Sequence, residues 1–289
     1  MRYDLCLASN WEYDDGFIQL LDSTCAARGR RLLTLTPTNL ADILPLLSSG
    51  QAGFSALLDR ASEADPAFLP LVDIAKATGA RRFNPRELAD CAYDKTLMHY
   101  KFIEAGIDTP RTIILPSYLD QPNLPDLDLS PLGGRFAVKP ALGGGGEGVA
   151  IEVTRLEQVR SERMKFPEQE YLLQSHVTPE ALGGHPAWFR VLYCLGEVYP
   201  SFWDVVTHVY TPVPPESAMT FSLRVVTGKI AEVCKLDLFS SELALDTDGR
   251  LLAVDYVNDP VDLRLQSLAV DGVPDAIVAD IAARIVNLL

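Results

Sequence analysis

The sequence feature that most constrains the fold is a glycine run between two segments with the composition of β-strands, in VKPALGGGGEGVAIEV at residues 138–153. A dinucleotide-binding fingerprint requires a helix after its glycines, and a P-loop requires Lys-Ser or Lys-Thr. Here the apolar, partly β-branched residues 149–153 follow, so neither motif fits. The pattern therefore predicts a β-hairpin with a loop at its tip that consists of Gly143, Gly144, Gly145, Gly146, Glu147 and Gly148.

Such a glycine loop has two possible functions. It is often only a flexible connection. It can also lie over phosphate groups, because no side chains keep its backbone N–H groups from the phosphate oxygens. Lys139 lies in the strand before the loop, in FAVKP, among apolar residues that should be buried. A buried lysine needs an anionic partner, since it is otherwise costly or loses its proton, so Lys139 favours phosphate binding.

A second informative segment is the acidic stretch ELALDTDGRLLAVDYVNDP. Its turn places Glu242 and Asp255 in the same region of two adjacent strands, and Asn258 follows. Carboxylate and amide oxygens are the ligands that Mg²⁺ prefers. An ordinary acidic hairpin would show the same pattern, so this segment alone leaves both interpretations open.

The rest of the chain predicts a parallel sheet followed by antiparallel strands. A βαβ unit is expected from a strand at 3–9, a helix at 17–28 and a strand at 31–36, with a further strand at 53–58 and a helix at 66–78. One continuous helix is predicted from residue 85 to Gly106, and it carries Lys95. The Pro- and Asp-rich residues 116–131 are predicted to form a flexible insertion. Later strands are expected at 171–177, 187–194, 198–203, 242–246 and 251–257, and helices at 155–165, 215–235 and 274–288.

Composition limits the classes of partner. The chain has 25 basic and 39 acidic side chains, a net charge of −14, which disfavours general attraction to nucleic acid or to an anionic membrane. Any anionic ligand must therefore meet a local cluster of positive charge. The five cysteines show no CxxC pair or zinc-type spacing, and no apolar run reaches membrane-spanning length. We predict a cytoplasmic protein with no nucleic-acid or membrane partner.

Taken in order, several segments resemble the ATP-grasp superfamily, in particular its carboxylate–amine ligases, such as glutathione synthetase and D-alanine–D-alanine ligase. They span residues 94 to about 264 and read DKTLMHYKFIEAGIDTPRTIIL, FAVKPALGGGGEGVAIEV, YLLQSHV, AWFRV and the acidic hairpin. The resemblance implies a mixed α/β fold in which two α+β lobes clasp ATP. It suggests a Rossmann-like N-terminal lobe at 1–90, a lid with the glycine loop at 91–175, and a lobe with the metal site at 176–289.

The resemblance also implies roles for individual residues. Lys95 and Lys139 would reach the nucleotide phosphates, and the glycine loop would cover them. The strand end formed by Gln174, Ser175, His176 and Val177 would receive adenine through backbone hydrogen bonds, with Glu180 near the ribose. Magnesium, or manganese in its place, would be bound by Glu242, Asp255 and Asn258. Arg190 would face the transferred phosphate, and Arg264 could hold a substrate carboxylate.

Two departures from the family pattern affect these assignments. Asp255 and Asn258 are three positions apart, where the family usually has a spacing of two, so a β-bulge is needed to absorb the extra residue. Ser175 stands where many members have Glu, which weakens any side-chain contact with adenine.

The activity implied by the resemblance is formation of an amide or peptide bond through an acyl phosphate, using ATP and Mg²⁺. The substrates would be a small carboxylate and an amine, including amino acids or peptides, and the protein could be a homodimer. Glu12, Asp14 and Asp15, in the loop after the first strand, could face an amino group. Two alternatives remain open: a kinase that phosphorylates a hydroxyl, and a nucleotide-binding regulatory protein without turnover.

Overall fold

The computed structural model describes residues 1–289. Its N-terminal part is a parallel sheet of four strands in the order β2-β1-β3-β4. The strands are β1 (Arg2–Ser9), β2 (Leu32–Leu35), β3 (Gly53–Arg60) and β4 (Arg81–Phe83), and the connecting helices are α1 (Asp15–Ala27), α2 (Leu40–Ser48) and α3 (Leu69–Thr78). The predicted βαβ opening is confirmed. Helix α2 was not predicted, because Pro45 inside it disfavours a helical assignment.

The predicted single helix from residue 85 to Gly106 is wrong, because two helices occupy this stretch. They are α4 (Arg86–Tyr93) and α5 (Lys95–Glu104). Asp94 between them is extended, and its carboxylate accepts a hydrogen bond of 2.9 Å from the backbone N–H of Leu97. Asp94 is therefore the N-cap of α5, which makes Lys95 the first residue of that helix.

The second sheet is antiparallel and contains the glycine hairpin. Its strands β5 (Thr112–Leu115), β6 (Phe136–Pro140), β7 (Ala150–Val153) and β8 (Tyr171–Ser175) lie in the order β5-β8-β6-β7. Helix α6 (Leu156–Arg163) follows β7. Strands β6 and β7 pair antiparallel on either side of the glycine loop, as predicted.

Residues 116–131 are anchored to this sheet, so the prediction of a flexible insertion is wrong. Arg163 is fully buried, and its guanidinium donates to the backbone carbonyls of Pro116, Ser117 and Gln121 at 2.6–3.0 Å. Leu124 is also buried, in the same core as Phe136 and Tyr171. Buried arginine bonds and an apolar anchor fix a segment whose composition alone suggests a free loop.

The third sheet is antiparallel, in the order β13-β12-β11-β14-β15. A short ribbon of β9 (Ala181–Leu182) and β10 (His185–Pro186) precedes β11 (Trp188–Cys194), β12 (Glu197–Trp203), β13 (Tyr210–Pro212), β14 (Leu238–Leu245) and β15 (Leu251–Asn258). The two helices of this region are α7 (Ala218–Cys234) and α8 (Asp275–Asn287). The long strands and both helices are confirmed, whereas β9, β10 and β13 are too short to give a periodic signal.

One apolar core joins the two ends of the chain. Leu5 of β1 and Phe17 of α1 lie in the same buried cluster as Leu192 of β11 and Val278 and Ile281 of α8. The first 90 residues therefore share their core with the C-terminal part, and the three-lobe division stays a prediction. No helix is both long enough and apolar enough to cross a membrane.

Candidate active site

Lys139 is held between the glycine hairpin and the acidic hairpin. Its Nζ, on β6, donates a 3.0 Å hydrogen bond to the carbonyl oxygen of Val254 on β15. Burial lowers the pKa of Lys139, and the nearby carboxylates of Asp255 and Glu242 act in the opposite direction. The acidic hairpin therefore places negative charge near Lys139, although neither carboxylate forms a direct ion pair with it.

Lys95 approaches the same place from the start of α5. Its Nζ donates to the carbonyl oxygen of Gly143, and its backbone N–H donates to Ala141 at 2.9 Å. Burial lowers the pKa of Lys95; Asp255 raises it, and the charge of Lys139 lowers it further. The two lysines are thus close enough to repel each other, and an anion between them would relieve that repulsion.

Arg190 and Glu242 form an ion pair across neighbouring strands β11 and β14. Arg190 Nη1 lies 2.5 Å from Glu242 Oε1, and Trp188 Nε1 donates to Glu242 Oε2 at 3.1 Å. Burial alone would lower the pKa of Arg190, but the carboxylates of Glu242 and Asp255 raise it overall. Arg190 therefore keeps its charge in a largely enclosed position.

Glu242 and Asp255 face each other as direct partners on β14 and β15. The register shifts on both sides of this pair, and Asn258 is opposite Ser240, so β15 contains the extra residue as a bulge. Asn258 Nδ2 donates to Asp255 Oδ2 at 3.0 Å. The bulge that the unusual spacing requires is present, and it brings Asn258 next to Asp255.

Asp255 and Asn258 offer oxygen ligands to a magnesium ion shared with a nucleotide, and Glu242 would do so once released from Arg190 and Trp188. Burial raises the pKa of Asp255, but Lys139 and Arg190 lower it by more, so its carboxylate is ionised. The amide oxygen of Asn258 accepts no hydrogen bond, because only its nitrogen is engaged. No group of three or more His, Cys, Asp or Glu could hold a metal alone. Magnesium commonly takes one or two carboxylates and obtains its other ligands from phosphates and water, which two carboxylates and one amide oxygen suit.

The glycine loop contacts this group of charges through the carbonyl of Gly143, which accepts from Lys95, and it contains one position where only glycine fits. Gly148 has a φ of +70°, and a Cβ atom there would lie 2.5 Å from the ring of Phe166 and 3.0 Å from Pro140. Gly146 also has a positive φ, +80°, but nothing lies within 4 Å of its Cβ direction. The base of the loop is therefore closely packed, whereas its tip is open.

At the predicted adenine-binding strand end, the side chain of Gln174 is buried and bonded within the protein. Gln174 is 2% exposed, and its Nε2 donates to the hydroxyl of Tyr256 at 2.8 Å. The backbone N–H of Ser175 already donates to Arg111 at 2.9 Å. The side chain of Gln174 thus serves the protein interior, and its strand β8 is paired on both sides, with β5 and β6.

The remaining residues of this strand end lie in different surroundings. His176 is exposed and lies 3.2 Å from a guanidinium nitrogen of Arg135, whereas Val177 is buried in a small apolar cluster. The backbone N–H of Glu180 donates to Leu245 at 2.8 Å. The side chain of Glu180 forms no hydrogen bond or ion pair within the chain, so it is free to meet a ligand hydroxyl.

Arg264 lies outside the group of charges just described. Its guanidinium makes ion pairs with Asp262 and Asp271 at 2.8 and 2.9 Å, and it stacks over Trp11. Two carboxylates already compensate its charge, so its proposed contact with a substrate carboxylate would require these pairs to open. Asp14 is likewise engaged, because it is buried against Arg60 at 2.7 Å; of the acidic residues in that loop, Glu12 and Asp15 are exposed.

A cavity of about 160 Å³ lies between the end of β3, helix α4 and the residues after β15. Tyr93 and Asp259 line it, and Asn84 Nδ2 donates to Asp259 Oδ1 at 2.7 Å. Burial raises the pKa of Asp259 to about 7, helped by Asp59, while the bond from Asn84 lowers it. Asp259 was missed from the sequence, although it directly follows Asn258. A larger open groove of about 420 Å³, between α7 and the turn after β11, lies away from these charges.

We call five residues the charged cluster: Lys95, Lys139, Arg190, Glu242 and Asp255. Three cations and two carboxylates lie beside a glycine loop whose tip is open. Fixed charges of this kind stabilise a polyphosphate, because they need no reorganisation when negative charge develops. The chemistry that this arrangement favours is transfer of a phosphoryl group to a neighbouring acceptor.

Comparison with known proteins gives a consistent result at the level of fold. The sequence matches no family model and no curated protein. The RimK domain ATP-grasp protein from Sphaerobacter thermophilus has 18% identity, a TM-score of 0.67, and coverage of 99% of this chain and 98% of its own. D-cycloserine synthetase DcsG has 14% identity, a TM-score of 0.66, and coverage of 98% and 99%.

A third solved structure, the ATP-grasp ligase PsnB with precursor peptide PsnA2 and AMPPNP, has 13% identity and a TM-score of 0.64. The match covers 99% of this chain and 96% of PsnB. Agreement over nearly the whole length of all three chains shows that this protein has the ATP-grasp fold. The fold predicted from the sequence is therefore confirmed.

Proposed function

We propose that the protein is an ATP- and Mg²⁺-dependent carboxylate–amine ligase. The observation that carries the proposal is the convergence of Lys95, Lys139 and Arg190 with the facing pair Glu242 and Asp255, beside the open glycine loop. Proteins of the same fold support a ligase, since they include a D-cycloserine synthetase and an L-amino acid ligase.

The residues of the charged cluster would have different roles in binding and catalysis. Lys95 and Lys139 would hold the phosphates of ATP, and Arg190 would stabilise the phosphoryl group during transfer. Glu242, Asp255 and Asn258 would hold the magnesium ion, which supplies charge neutralisation at the phosphates when it is bound. Residues 91–175 would act as the lid, with the glycine loop excluding water from the phosphates.

The substrates would meet beside the charged cluster. A substrate carboxylate oxygen would attack the γ-phosphorus and release ADP, giving an acyl phosphate. An amine would then attack the acyl carbon and release phosphate, forming the amide or peptide bond. The fixed cations act on the negative charge of both steps, so no serine or cysteine nucleophile is needed.

A hydroxamate assay tests this proposal. The protein is incubated with Mg-ATP, hydroxylamine, and pools of amino acids, dipeptides and small dicarboxylates. We expect a hydroxamate with one pool, and no hydroxamate in Glu242→Ala plus Asp255→Ala. The matched control is Glu232→Ala plus Asp248→Ala, because both of these carboxylates are exposed and lie outside the charged cluster.

The alternatives give different results in the same assay. ADP formed with polyols or sugars, and no hydroxamate with any acid, would identify a kinase and contradict the ligase. Binding of Mg-ATP without ADP from any pool would favour a regulatory nucleotide-binding protein. Hydroxamate formation that survives in the double variant would contradict the assigned roles of Glu242 and Asp255.

A further inference from the structure

A buried hydroxyl lies at the junction of three elements of the candidate nucleotide site. Tyr256 directly follows Asp255 on β15, and it is 3% exposed. Gln174 Nε2 on β8 donates to its Oη at 2.8 Å, and His99 Nδ1 on α5 lies 2.7 Å from the same oxygen. A single oxygen atom therefore connects β15, β8 and α5.

Each of these elements carries a group assigned to the nucleotide. Gln174 begins the strand end that would receive adenine. His99 lies about one helical turn after Lys95 on α5, so fixing its ring also fixes the start of that helix. Tyr256 is the neighbour of Asp255 in sequence. Movement of any one of the three elements would change the distances between the adenine, phosphate and metal contacts.

The network is uncharged, which distinguishes it from the charged cluster. Burial lowers the pKa of His99 and raises the pKa of Tyr256, so both side chains are neutral near neutral pH. The ring of Tyr256 also packs against Phe102, with 4.9 Å between ring centroids. Neutral hydrogen bonds in a packed core fix geometry without changing the charge available to the phosphates.

We propose that Tyr256 is a positioning residue that sets the relative placement of the adenine-binding strand end, Lys95 and Asp255. The inference rests on the proposed function, because it assumes that these three groups bind one Mg-ATP. It gives Gln174 a different role from a direct contact with adenine, because its side chain holds the strand end.

The test is Tyr256→Phe, which keeps the packed ring and removes only the hydroxyl. We expect the Kd for Mg-ATP, measured by calorimetry, and the KM for ATP to rise by about tenfold, the size expected for lost hydrogen bonds. We expect kcat to stay within about twofold, because misplaced binding contacts weaken the ground state and the transition state equally.

Tyr171→Phe is the matched control. Tyr171 is fully buried on β8, the strand that also carries Gln174. Its hydroxyl donates to the carbonyl of Glu162 at 2.8 Å, outside the network. This variant also loses a buried hydrogen bond, so its Tm should fall. Its Kd for Mg-ATP should remain that of the wild type.

A double-mutant cycle sharpens the assignment. If His99 and Tyr256 act through one shared bond, His99→Leu combined with Tyr256→Phe should raise the Kd by less than the product of the two single effects. Independent, multiplicative effects would overturn the shared role.

Four further results would each contradict a proposal. An unchanged Kd in Tyr256→Phe, or an equal rise in Tyr171→Phe, would overturn the inference. A wild-type protein that binds Mg-ATP but forms no hydroxamate would contradict the ligase proposal alone, because positioning is read from binding. A wild-type protein that does not bind Mg-ATP would overturn both.

Discussion

Two enclosed arginine–carboxylate pairs occur in this protein, and they differ in how completely they are closed. In the pair of Arg60 and Asp14 the side chains are 3% and 1% exposed. Two guanidinium nitrogens bind the two carboxylate oxygens at 2.9 and 2.7 Å, and a third donates to the carbonyl of Val261 at 2.8 Å. In the pair of Arg190 and Glu242 the side chains are 17% and 16% exposed, with one close contact.

The difference leads us to propose different roles for the two pairs. Arg60 and Asp14 satisfy each other at a junction between the N-terminal sheet and the segment after β15, and nothing is left over for a ligand. Arg190 and Glu242 lie among the further charges of Lys139 and Asp255, so a ligand can compete for them. A bidentate pair without solvent fixes a fold, whereas a partly open pair with charged neighbours can exchange partners.

The largest effect on stability is expected when the closed pair is broken. Asp14→Ala leaves Arg60 buried without a carboxylate, and the free energy of unfolding should fall by about 3–5 kcal/mol. Urea unfolding measures this loss. Asp90→Ala is the control, because it removes the partner of Arg86 in an exposed pair and should change stability by about 0–1 kcal/mol. Similar losses in the two variants would show that the first pair is not closed in solution.

The next effect is expected in the open pair, and it should appear in activity. Glu242→Gln keeps the shape of the side chain but removes its charge, so the ADP release that depends on substrate should fall by about 10²–10³-fold. The free energy of unfolding should change by less than in Asp14→Ala, since water still reaches Arg190. A loss of stability as large as that of Asp14→Ala, with activity retained, would reverse the assignment of the two pairs.

The sequence predicts what depends on local pattern. The strand–glycine loop–strand order is local, and so is the acidic turn that brings Glu242 opposite Asp255. The break at Asp94 was missed, because apolar residues continue with helical spacing through a residue that caps the next helix. A local cap signal was present in Asp94, but the periodic pattern concealed it.

Other features depend on contacts between distant parts of the chain. Asp14 meets Arg60 across 46 positions of the chain, and Gln174 meets Tyr256 across 82 positions. A polar residue in a loop or at a strand end has the same sequence pattern whether it faces water or a buried partner. The difference in exposure between the two arginine pairs is therefore visible only in the structure.

The glycine loop offers another test of the contrast between closed and open surroundings, because Gly148 is closely packed and Gly146 is not. Gly148→Ala places a methyl group against Phe166 and Pro140, and stability should fall by about 1–3 kcal/mol. Gly146→Ala has a positive φ without a clash, and it should cost about 1 kcal/mol. Urea unfolding compares the two variants. Equal losses would mean that the base of the loop yields to the methyl group, and that the loop is open throughout.

The smallest expected effect concerns the neutral contact of His99 with Tyr256. Burial lowers the pKa of His99 below its ordinary value of 6.5, so the unfolded chain binds a proton that the folded protein rejects. The contribution of His99 to the free energy of unfolding is fully present above pH 6.5. It is lost as the pH falls from 6.5 toward the lower pKa of the folded protein, with a slope of at most about 1.4 kcal/mol per pH unit.

Replacing the histidine isolates its share of this slope from that of the carboxylates. His99→Gln should flatten the fall in unfolding free energy between about pH 7 and about pH 5.5, since it has no proton to gain. If His99→Gln kept the slope of the wild type, His99 would accept its proton in the folded protein. The bond to Tyr256 would then tolerate a charge, and the division between a neutral network and a charged cluster would fail.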